Sequence, residues 1–189
     1  TASASASITV NSVNDAPVGA NNTVTTLEDT GYTFAAVDFG FTDPNDSPSN
    51  ALLAVKITTL PGAGSLALSG VAVNAGDFVS LANLSAGNLK FTPAANANGA
   101  GYASFTFQVQ DDGGTANGGV NLDQSARTMS VNVSSVNDAP IGTNNTVTTL
   151  EDTAYTFAAV DFGFTDPSDA PANALAAVKI TTLPVAGTL

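Results

Sequence analysis

The sequence predicts an all-β protein, built from antiparallel seven-stranded Greek-key sandwiches that repeat in tandem. Three observations support this prediction. Residues 137–189 align with residues 14–66 without a gap and differ at nine of 53 positions. Apolar and polar residues alternate in short runs bounded by Gly, Pro, Asn or Asp, as expected of half-buried strands. No window of useful length combines the period of a helix with helix caps.

The repeat sets the predicted domain boundaries. The phrase SVNDAP occurs twice, 123 residues apart, and a unit of that length can form a domain with its own core. We expect residues 1–13 to be the last strand of a preceding repeat, 14–136 a complete repeat, and 137–189 the incomplete N-terminal part of the next. A structural unit that begins near Leu66 is the alternative boundary.

The incomplete repeat, residues 137–189, is expected to expose residues that a complete sandwich would bury. Residues 137–189 can supply the first strands of a sandwich but not the last ones, so an isolated half would expose core residues such as Tyr155, Phe157 and Phe162. Another copy would then complete it, or it would belong to a continuous fibre.

Taken in order, the strands of the complete repeat follow from alternation. The inward-facing apolar residues are Val55/Ile57, Val79/Leu81, Leu89/Phe91, Phe105/Phe107/Val109 and Met129/Val131/Val133. In YTFAAVDFGF the apolar phase switches from even positions, Tyr32 to Ala36, to odd positions, Val37 to Phe41. Such a one-residue slip predicts a β-bulge or bend near residues 35–37. Together these runs indicate about seven strands, the pattern of an antiparallel sandwich.

Composition excludes several classes of function. The formal charge is −12, and four scattered basic residues are too few to follow a phosphate backbone, so nucleic acid is not an expected partner. The absence of His and Cys removes the usual transition-metal ligands and nucleophile pairs. Oxygen ligands remain, and these suit hard cations such as calcium. No run approaches the ~20 apolar residues of a membrane helix, so we expect no membrane span in this segment.

The acidic groups gather at the ends of the predicted sandwich. In the complete repeat they form the pairs Asn14/Asp15, where Asn14 adds a neutral amide beside the acid, Glu28/Asp29, Asp43/Asp46 and Asp111/Asp112. Threading a seven-strand Greek key along the chain brings the first, third and fourth pairs to one end, called here the near pole. It brings Glu28 and Asp29 to the opposite end, the far pole, towards the next linker pair, Asn137 and Asp138.

Clustered carboxylates repel one another unless a cation lies between them. A like-charge pair at ~4 Å costs about 1 kcal/mol in water and roughly 4 kcal/mol at an effective dielectric of 20. Calcium accepts about 6–8 oxygens from carboxylates, carbonyls, amide side chains and water. Turn formation alone explains any single Asp or Asn in these loops. Four acidic groups that converge on the domain junctions favour a metal.

The motifs in combination resemble a known family. VNDAP at both junctions, LEDT, TDPND and FTFQVQDDGG are together similar to the cadherin-like tandem repeats of bacterial giant adhesins. These are calcium-dependent extender modules grouped with VCBS and repeats-in-toxin adhesins. The resemblance implies a cadherin- or Ig-like sandwich strung into an extracellular stalk, with calcium stiffening the junctions.

The resemblance also implies calcium ligands, motif by motif. They are the linker residues Asn14, Asp15, Asn137 and Asp138, the glutamates Glu28 and Glu151, the loop acids Asp43, Asp46, Asp166 and Asp169, and Asp111 or Asp112. Asp29 and its copy Asp152 join the predicted metal residues because they stand in the same LEDT phrase. The chain departs from the family at GYASF, where Ala103 replaces a common acid. The far pole would then hold fewer ions or use backbone oxygens of AANANGAG.

These observations predict a non-enzymatic protein. The expected function is a calcium-rigidified extender of an extracellular bacterial adhesin or surface fibre at the cell surface. Its partners would be neighbouring repeats or other copies in a fibre, while other domains would contact cell-surface or matrix ligands. The alternative is a glycan- or protein-binding module that uses its long loops, although three Tyr and no Trp offer few platforms for sugar stacking. Glycoside hydrolysis by a carboxylate pair would need an apolar pocket that the sequence does not show.

Overall fold

The computed structural model describes residues 3–188, which form two separate units. Residues 1, 2 and 189, the outermost positions of the first and third predicted segments, lie outside the described residues. The first unit ends at Ser134 and the second begins at Ser135. Among residues 3–188, none of the helices has the length and apolar character needed to cross a bilayer.

The first unit contains nine strands within its described residues. They are β1 (Asn22–Leu27), β2 (Tyr32–Thr33), β3 (Leu52–Ile57), β4 (Ser65–Leu68), β5 (Val71–Ala72), β6 (Phe78–Ser80), β7 (Leu89–Thr92), β8 (Gly99–Asp111) and β9 (Arg127–Ser134). One short α-helix, α1 (Leu81–Ser85), and two 3-10 helices, Ala36–Phe39 and Ala116–Gly118, lie between them. The predicted all-β sandwich is confirmed, with the short strand β5 added at a sheet edge.

The strands form two sheets. One has the order β1-β9-β8-β3-β6 and the other the order β2-β7-β4-β5. All ladders are antiparallel except that between the first and last strands, which run parallel through six residue pairs from Asn22–Met129 to Leu27–Ser134. Consequently β1 starts at the near pole and ends at the far pole, where β9 also ends.

The core lies between the two sheets and is rich in phenylalanine. Alternation on β8 and β9 buries Phe105, Phe107, Met129, Val131 and Val133, as the sequence predicted. The rings of Phe39 and Phe107 meet edge to face, with centroids 4.9 Å apart. The rings of Phe34 and Phe105 meet in the same way at 5.5 Å. Such aromatic pairs add to the burial of apolar area that holds the sheets together.

The phase switch after β2 is a bend formed by a 3-10 helix, so of the predicted alternatives near residues 35–37, a β-bulge or a bend, the bend is observed. The helix Ala36–Phe39 turns the chain between Phe34 and Phe39, so that both rings reach the core. Asp38 caps it, because its Oδ2 accepts a hydrogen bond from the Ala35 backbone N–H at 2.8 Å. Gly40 ends the helix with φ of 57° beside Ala20, where a Cβ atom would approach the Ala20 Cβ to 2.6 Å.

The predicted Val79/Leu81 strand stops one residue early. Val79 is buried in β6, but Leu81 begins α1. Ser80 ends the strand because its Oγ accepts a hydrogen bond from the Asn83 backbone N–H at 3.3 Å and so caps the helix. Leu81 is therefore partly exposed, and Leu84 is the helix residue that enters the core.

An ion pair fixes the start of β9. Asp123 is buried and accepts two hydrogen bonds from Arg127, at 2.9 and 3.2 Å. It also accepts the backbone N–H groups of Gly19 and Ser125, both at 2.9 Å. Burial acts to raise the pKa of Asp123, but these donors outweigh it and hold the pKa below its ordinary value. The pair ties the segment before β1 to the last strand.

The second unit repeats the local turns of the first without its sheets. A 3-10 helix spans Ala159–Phe162, and Ile141 bridges to Thr165 as Val18 bridges to Thr42. No strand is assigned within residues 135–188, because β7, β8 and β9 have no counterpart there to supply ladder partners. Tyr155 and Phe157 are exposed, as predicted, whereas Phe162 is only partly exposed.

Candidate metal centre

Four of the predicted ligands meet at the near pole of the first unit. Asp111 is the last residue of β8, and Asp43 and Asp46 lie in the loop that leads to β3. Asn14 lies in the segment ahead of β1. Together with Asn50 from the same loop as Asp43, these residues form what we call the near-pole cluster.

Asn14 holds the cluster together. Its Nδ2 donates to Asp111 Oδ1 at 3.1 Å and to the carbonyl oxygens of Gly114 and Val120 at 3.1 and 2.8 Å. Its Oδ1 accepts a hydrogen bond from Asn50 Nδ2. The linker asparagine is thereby fixed to the loop after β8 and to the loop before β3.

Two carboxylates in the cluster each bury one oxygen that has no hydrogen-bond partner. Asp43 is 5% exposed and Asp111 is 0% exposed. Asp43 Oδ2 accepts the Asn50 backbone N–H at 2.6 Å, and Asp111 Oδ1 accepts the Gly113 backbone N–H at 2.9 Å. Asp43 Oδ1 and Asp111 Oδ2 accept none. One oxygen of each acid is therefore oriented by the backbone while the other is left for a further partner.

The charges in the cluster act on one another. Burial raises the pKa of Asp111, and the negative charges of Asp43 and Asp46 raise it further. The hydrogen bonds from Gly113 and Asn14 oppose this rise without cancelling it. Asp111 thus lies where an added positive charge would be favourable.

The cluster is accessible from solvent. A cavity of about 230 Å³ lies beside it, lined by Asn14, Asp46 and Asn50 among others. Asp46 is half-buried, and its Oδ2 accepts the Asp15 backbone N–H at 3.0 Å and Asn50 Nδ2 at 3.4 Å. An ion with part of its water shell could enter here.

Comparison with known proteins assigns a family. The sequence profile of the bacterial Ig domain matches residues 14–123, more than half of the chain. The chain belongs to the bacterial Ig domain family. Domains of this kind are non-catalytic structural modules, typically found in surface or extracellular proteins. No curated protein and no solved structure matches the chain.

Two predicted ligands of this Ig domain lie at the margin of the near-pole cluster. Asp15 is exposed and contributes its backbone N–H to Asp46. Asp112 is exposed, and its Oδ1 accepts the Ala51 backbone N–H at 2.8 Å, which fixes the start of β3. The side chains of Asp15 and Asp112 are therefore less well placed than those of Asp43 and Asp111.

At the far pole, Glu28 and Asp29 meet the loop between β7 and β8. Asn98 Nδ2 donates to Glu28 Oε2 at 2.8 Å, and the Asn96 backbone N–H donates to Asp29 Oδ1 at 3.1 Å. The loop AANANGAG therefore contacts these acids, and in both of these hydrogen bonds the loop supplies an N–H donor and not an oxygen. The pairing of Glu28 and Asp29 with the next linker stays a prediction.

The second unit reproduces part of the near-pole cluster. Asn173 Nδ2 donates to Asn137 Oδ1 at 2.7 Å and to Asp169 Oδ2 at 3.0 Å. Its backbone N–H donates to Asp166 Oδ2 at 2.8 Å, and Asp138 N–H donates to Asp169 Oδ1 at 3.1 Å. These are the contacts of Asn50, Asn14, Asp46, Asp43 and Asp15 in the first unit. Glu151 and Asp152, the copies of the LEDT acids, are exposed in a turn.

Sequence reasoning missed Asn50, which belongs to the cluster, and Gly113, which lies against it. Asn50 bonds to three of its members, and Gly113 lies so close to Asn14 that a Cβ atom would overlap the Asn14 side chain. Asn50 could have been found, because it is unchanged as Asn173 in a loop where three neighbouring positions differ between the copies. Gly113 has no copy within residues 137–189 and gave no such signal.

Proposed function

We propose that this Ig domain is a calcium-stabilised, cadherin-like extender repeat of an extracellular bacterial adhesin or surface fibre. Calcium would bind at the near-pole cluster and stiffen the repeat together with the linker that enters it. The observation that carries the proposal is the pair of buried, unpartnered oxygens, Asp43 Oδ1 and Asp111 Oδ2.

A bound cation would supply the partner that these two oxygens lack. A buried carboxylate oxygen that accepts no hydrogen bond is costly, and the neighbouring like charges add repulsion. The side chains available are the carboxylates of Asp43, Asp46 and Asp111 and the amide oxygens of Asn14 and Asn50, so every potential ligand is an oxygen. This chemistry suits calcium, which completes its shell of about 6–8 oxygens with water. The adjacent cavity gives room for that water.

The site would connect ion binding to the linker. Asn14 belongs to the VNDAP phrase and contacts both loops of the near pole, so an ion held by Asp43 and Asp111 would also restrain the chain that enters the domain. The near-identical second copy supports a spacer, because copies of a distinct binding surface are expected to diverge whereas a spacer tolerates sameness. In such arrays stability and reach grow with the number of repeats.

Calcium-dependent thermal unfolding tests the proposal. For the whole chain at pH 7 we expect millimolar calcium to raise Tm and a chelator to reverse the rise, by mass action. Asp43→Asn should remove most of the calcium effect. Asp77→Asn is the matched control, because Asp77 lies in an exposed turn, where its carboxylate accepts the Asn74 N–H at 2.8 Å and an amide oxygen can replace it.

Two outcomes would contradict the proposal. If the melting curve of the unchanged chain is the same in calcium and in chelator, the near-pole cluster does not bind calcium. If calcium raises Tm but small-angle scattering gives an unchanged maximum dimension, the ion stabilises the domain without stiffening the linker.

A further inference from the structure

The two side-chain amides of the near-pole cluster differ in how firmly they are oriented. Asn14 Nδ2 has three acceptors, the carboxylate of Asp111 at 3.1 Å and two backbone carbonyl oxygens at 3.1 and 2.8 Å. An amide oxygen has no hydrogen to donate, so reversal of this amide would set it against three other oxygens. The Asn14 oxygen is therefore held in one direction, towards Asn50.

Asn50 turns its amide nitrogen towards oxygens that a cation would use. Its Nδ2 donates to Asn14 Oδ1 and lies 3.4 Å from Asp46 Oδ2. Among residues 3–188, none donates a hydrogen bond to Asn50 Oδ1. The terminal torsion of an Asn side chain is broad and roughly two-fold, so its nitrogen and oxygen exchange places at small cost. The Asn50 amide can thus turn, whereas the Asn14 amide cannot.

The second unit contains the same arrangement. Asn173 Nδ2 donates to Asn137 Oδ1 at 2.7 Å and to Asp169 Oδ2 at 3.0 Å. Three positions of this loop differ between the two copies, but the asparagine and its two acceptors do not. An amide nitrogen between a linker amide oxygen and a loop carboxylate is therefore a property of the repeat.

Asn50 also lies on the path by which an ion would enter. The cavity of about 230 Å³ beside the cluster is lined by Asp46 and Asn50 among others, whereas Asp43 and Asp111 do not line it. The oxygens without a hydrogen-bond partner belong to those two buried acids. An ion that comes from the cavity therefore meets the NH2 group of Asn50 first, and the hydrogens of that group repel a cation.

We propose that the Asn50 side chain is an amide switch for calcium. Without the ion, its NH2 group takes the place of the cation between Asn14 Oδ1 and Asp46 Oδ2. With the ion, the amide turns by about 180° and presents its oxygen as a ligand. Asn50 would then control entry to the site and supply one of its oxygens, a role that rests on the proposed binding of calcium to the near-pole cluster.

Substitutions at position 50 separate this role from a structural one. Asn50→Asp supplies an oxygen in either orientation and adds a ligand charge, so the calcium Kd should fall by about 10-fold or more. Asn50→Ala removes the ligand oxygen and should raise the Kd by about 5-fold. A residue that only held the loop together by donating hydrogen bonds would raise the Kd in both variants.

Asn74→Asp is the matched control. Asn74 Nδ2 lies 3.4 Å from Asp77 Oδ2, and Asn50 Nδ2 is separated from Asp46 Oδ2 by the same distance. Asn74 and Asp77 lie in an exposed turn between β5 and β6. The control therefore creates a like-charge pair in a similar geometry without touching the cluster, and it should leave the calcium Kd unchanged.

Nitrogen-15 NMR of the whole chain in chelator-buffered calcium tests the switch. The Gly113 backbone amide reports binding at the first unit, because it donates to Asp111 Oδ1 at 2.9 Å and residues 137–189 contain no copy of it. Its chemical shift gives the Kd of each variant. In the unchanged chain, calcium should move the side-chain NH2 signals of Asn50 and speed their exchange with water, while those of Asn14 stay protected.

The possible failures are distinguishable. A Gly113 signal that does not respond to calcium would overturn the proposed function and the switch with it. A Gly113 response with unchanged Asn50 side-chain signals would overturn the switch alone, and this result needs no variant to fold. A Kd that rises in Asn50→Asp, or that falls equally in Asn74→Asp, would also overturn the switch.

Discussion

Replacing Asp111 with asparagine should change the stability of the first unit in opposite directions with and without calcium. In chelator, Asp111→Asn removes one negative charge from a buried group that Asp43 and Asp46 already destabilise. In calcium, the same change removes a carboxylate that the ion would use. A purely structural role for Asp111 would lower stability in both conditions.

The magnitudes follow from the surroundings of the side chain. Relief of one like-charge contact is worth between about 1 kcal/mol in water and about 4 kcal/mol at an effective dielectric of 20. We take the lower figure because asparagine exchanges one of the acceptors of Asp111 for an amide, and about 1 kcal/mol raises Tm by roughly 4 °C in a unit of about 130 residues. Calcium at about 100 times its Kd should stabilise the unchanged chain by about 2.7 kcal/mol and the variant by nearly nothing.

The assay is calorimetry of both proteins at pH 7 in chelator and in calcium, followed by a pH series in chelator. The pKa of Asp111 is raised in the folded state, so protonation of Asp111 stabilises the fold. This contribution to stability is fully present below the ordinary pKa of 3.8 and is lost as pH rises through the folded pKa. The unchanged chain should therefore lose part of its stability over that range, and Asp111→Asn should lose less. A variant that is less stable than the unchanged chain in chelator, or that keeps the full calcium response, would refute this reasoning.

Three further predictions use other parts of the first unit. The pKa of Asp123 is lowered, so its contribution is present above its ordinary value of 3.8 and is lost as pH falls through the folded pKa; Asp123→Asn should cost about 1–3 kcal/mol at pH 7 and flatten acid unfolding followed by circular dichroism. Phe39→Ala should destabilise the first unit by about 3–5 kcal/mol in urea unfolding, whereas the equivalent Phe162→Ala, at a partly exposed ring, should cost less; equal losses would contradict the difference in burial. Gly113→Ala should reduce calcium affinity about 10-fold or more by displacing the linker asparagine, while Gly62→Ala, where a Cβ meets open space, should leave titration calorimetry unchanged.

The sandwich and its poles could be predicted because their signals are local. Alternation on β8 and β9 fixed which residues face the core, and the turn residues fixed where each strand reverses. Counting the reversals of chain direction between strands then placed Asp43 and Asp111 at the same end of the sandwich. Where sequence reasoning failed or left two alternatives open, a side chain had decided between two local structures that fit the same pattern. Asp38 caps a 3-10 helix where the apolar phase alone allowed a bulge, and Ser80 starts a helix where it allowed a strand.

The composition of the near-pole cluster was only partly accessible to sequence. Acidic residues can be recognised in the sequence by their charge. Asn50, in contrast, acts through partners that lie 36 residues away along the chain or across a loop. An uncharged amide in a loop rich in Asn, Ser and Pro has no distinguishing local pattern. Which oxygen of Asp43 or Asp111 lacks a partner depends on backbone N–H groups that only the folded loops bring into range.

The parallel pairing of β1 with β9 has a mechanical consequence. The chain enters β1 at one pole and leaves β9 at the other, so a pull on the two ends of the first unit acts along the ladder that joins these strands. Such a load shears six residue pairs together, instead of peeling them apart one after another. Resistance to stretching would therefore be concentrated in one short interface, which single-molecule extension of the first unit could measure.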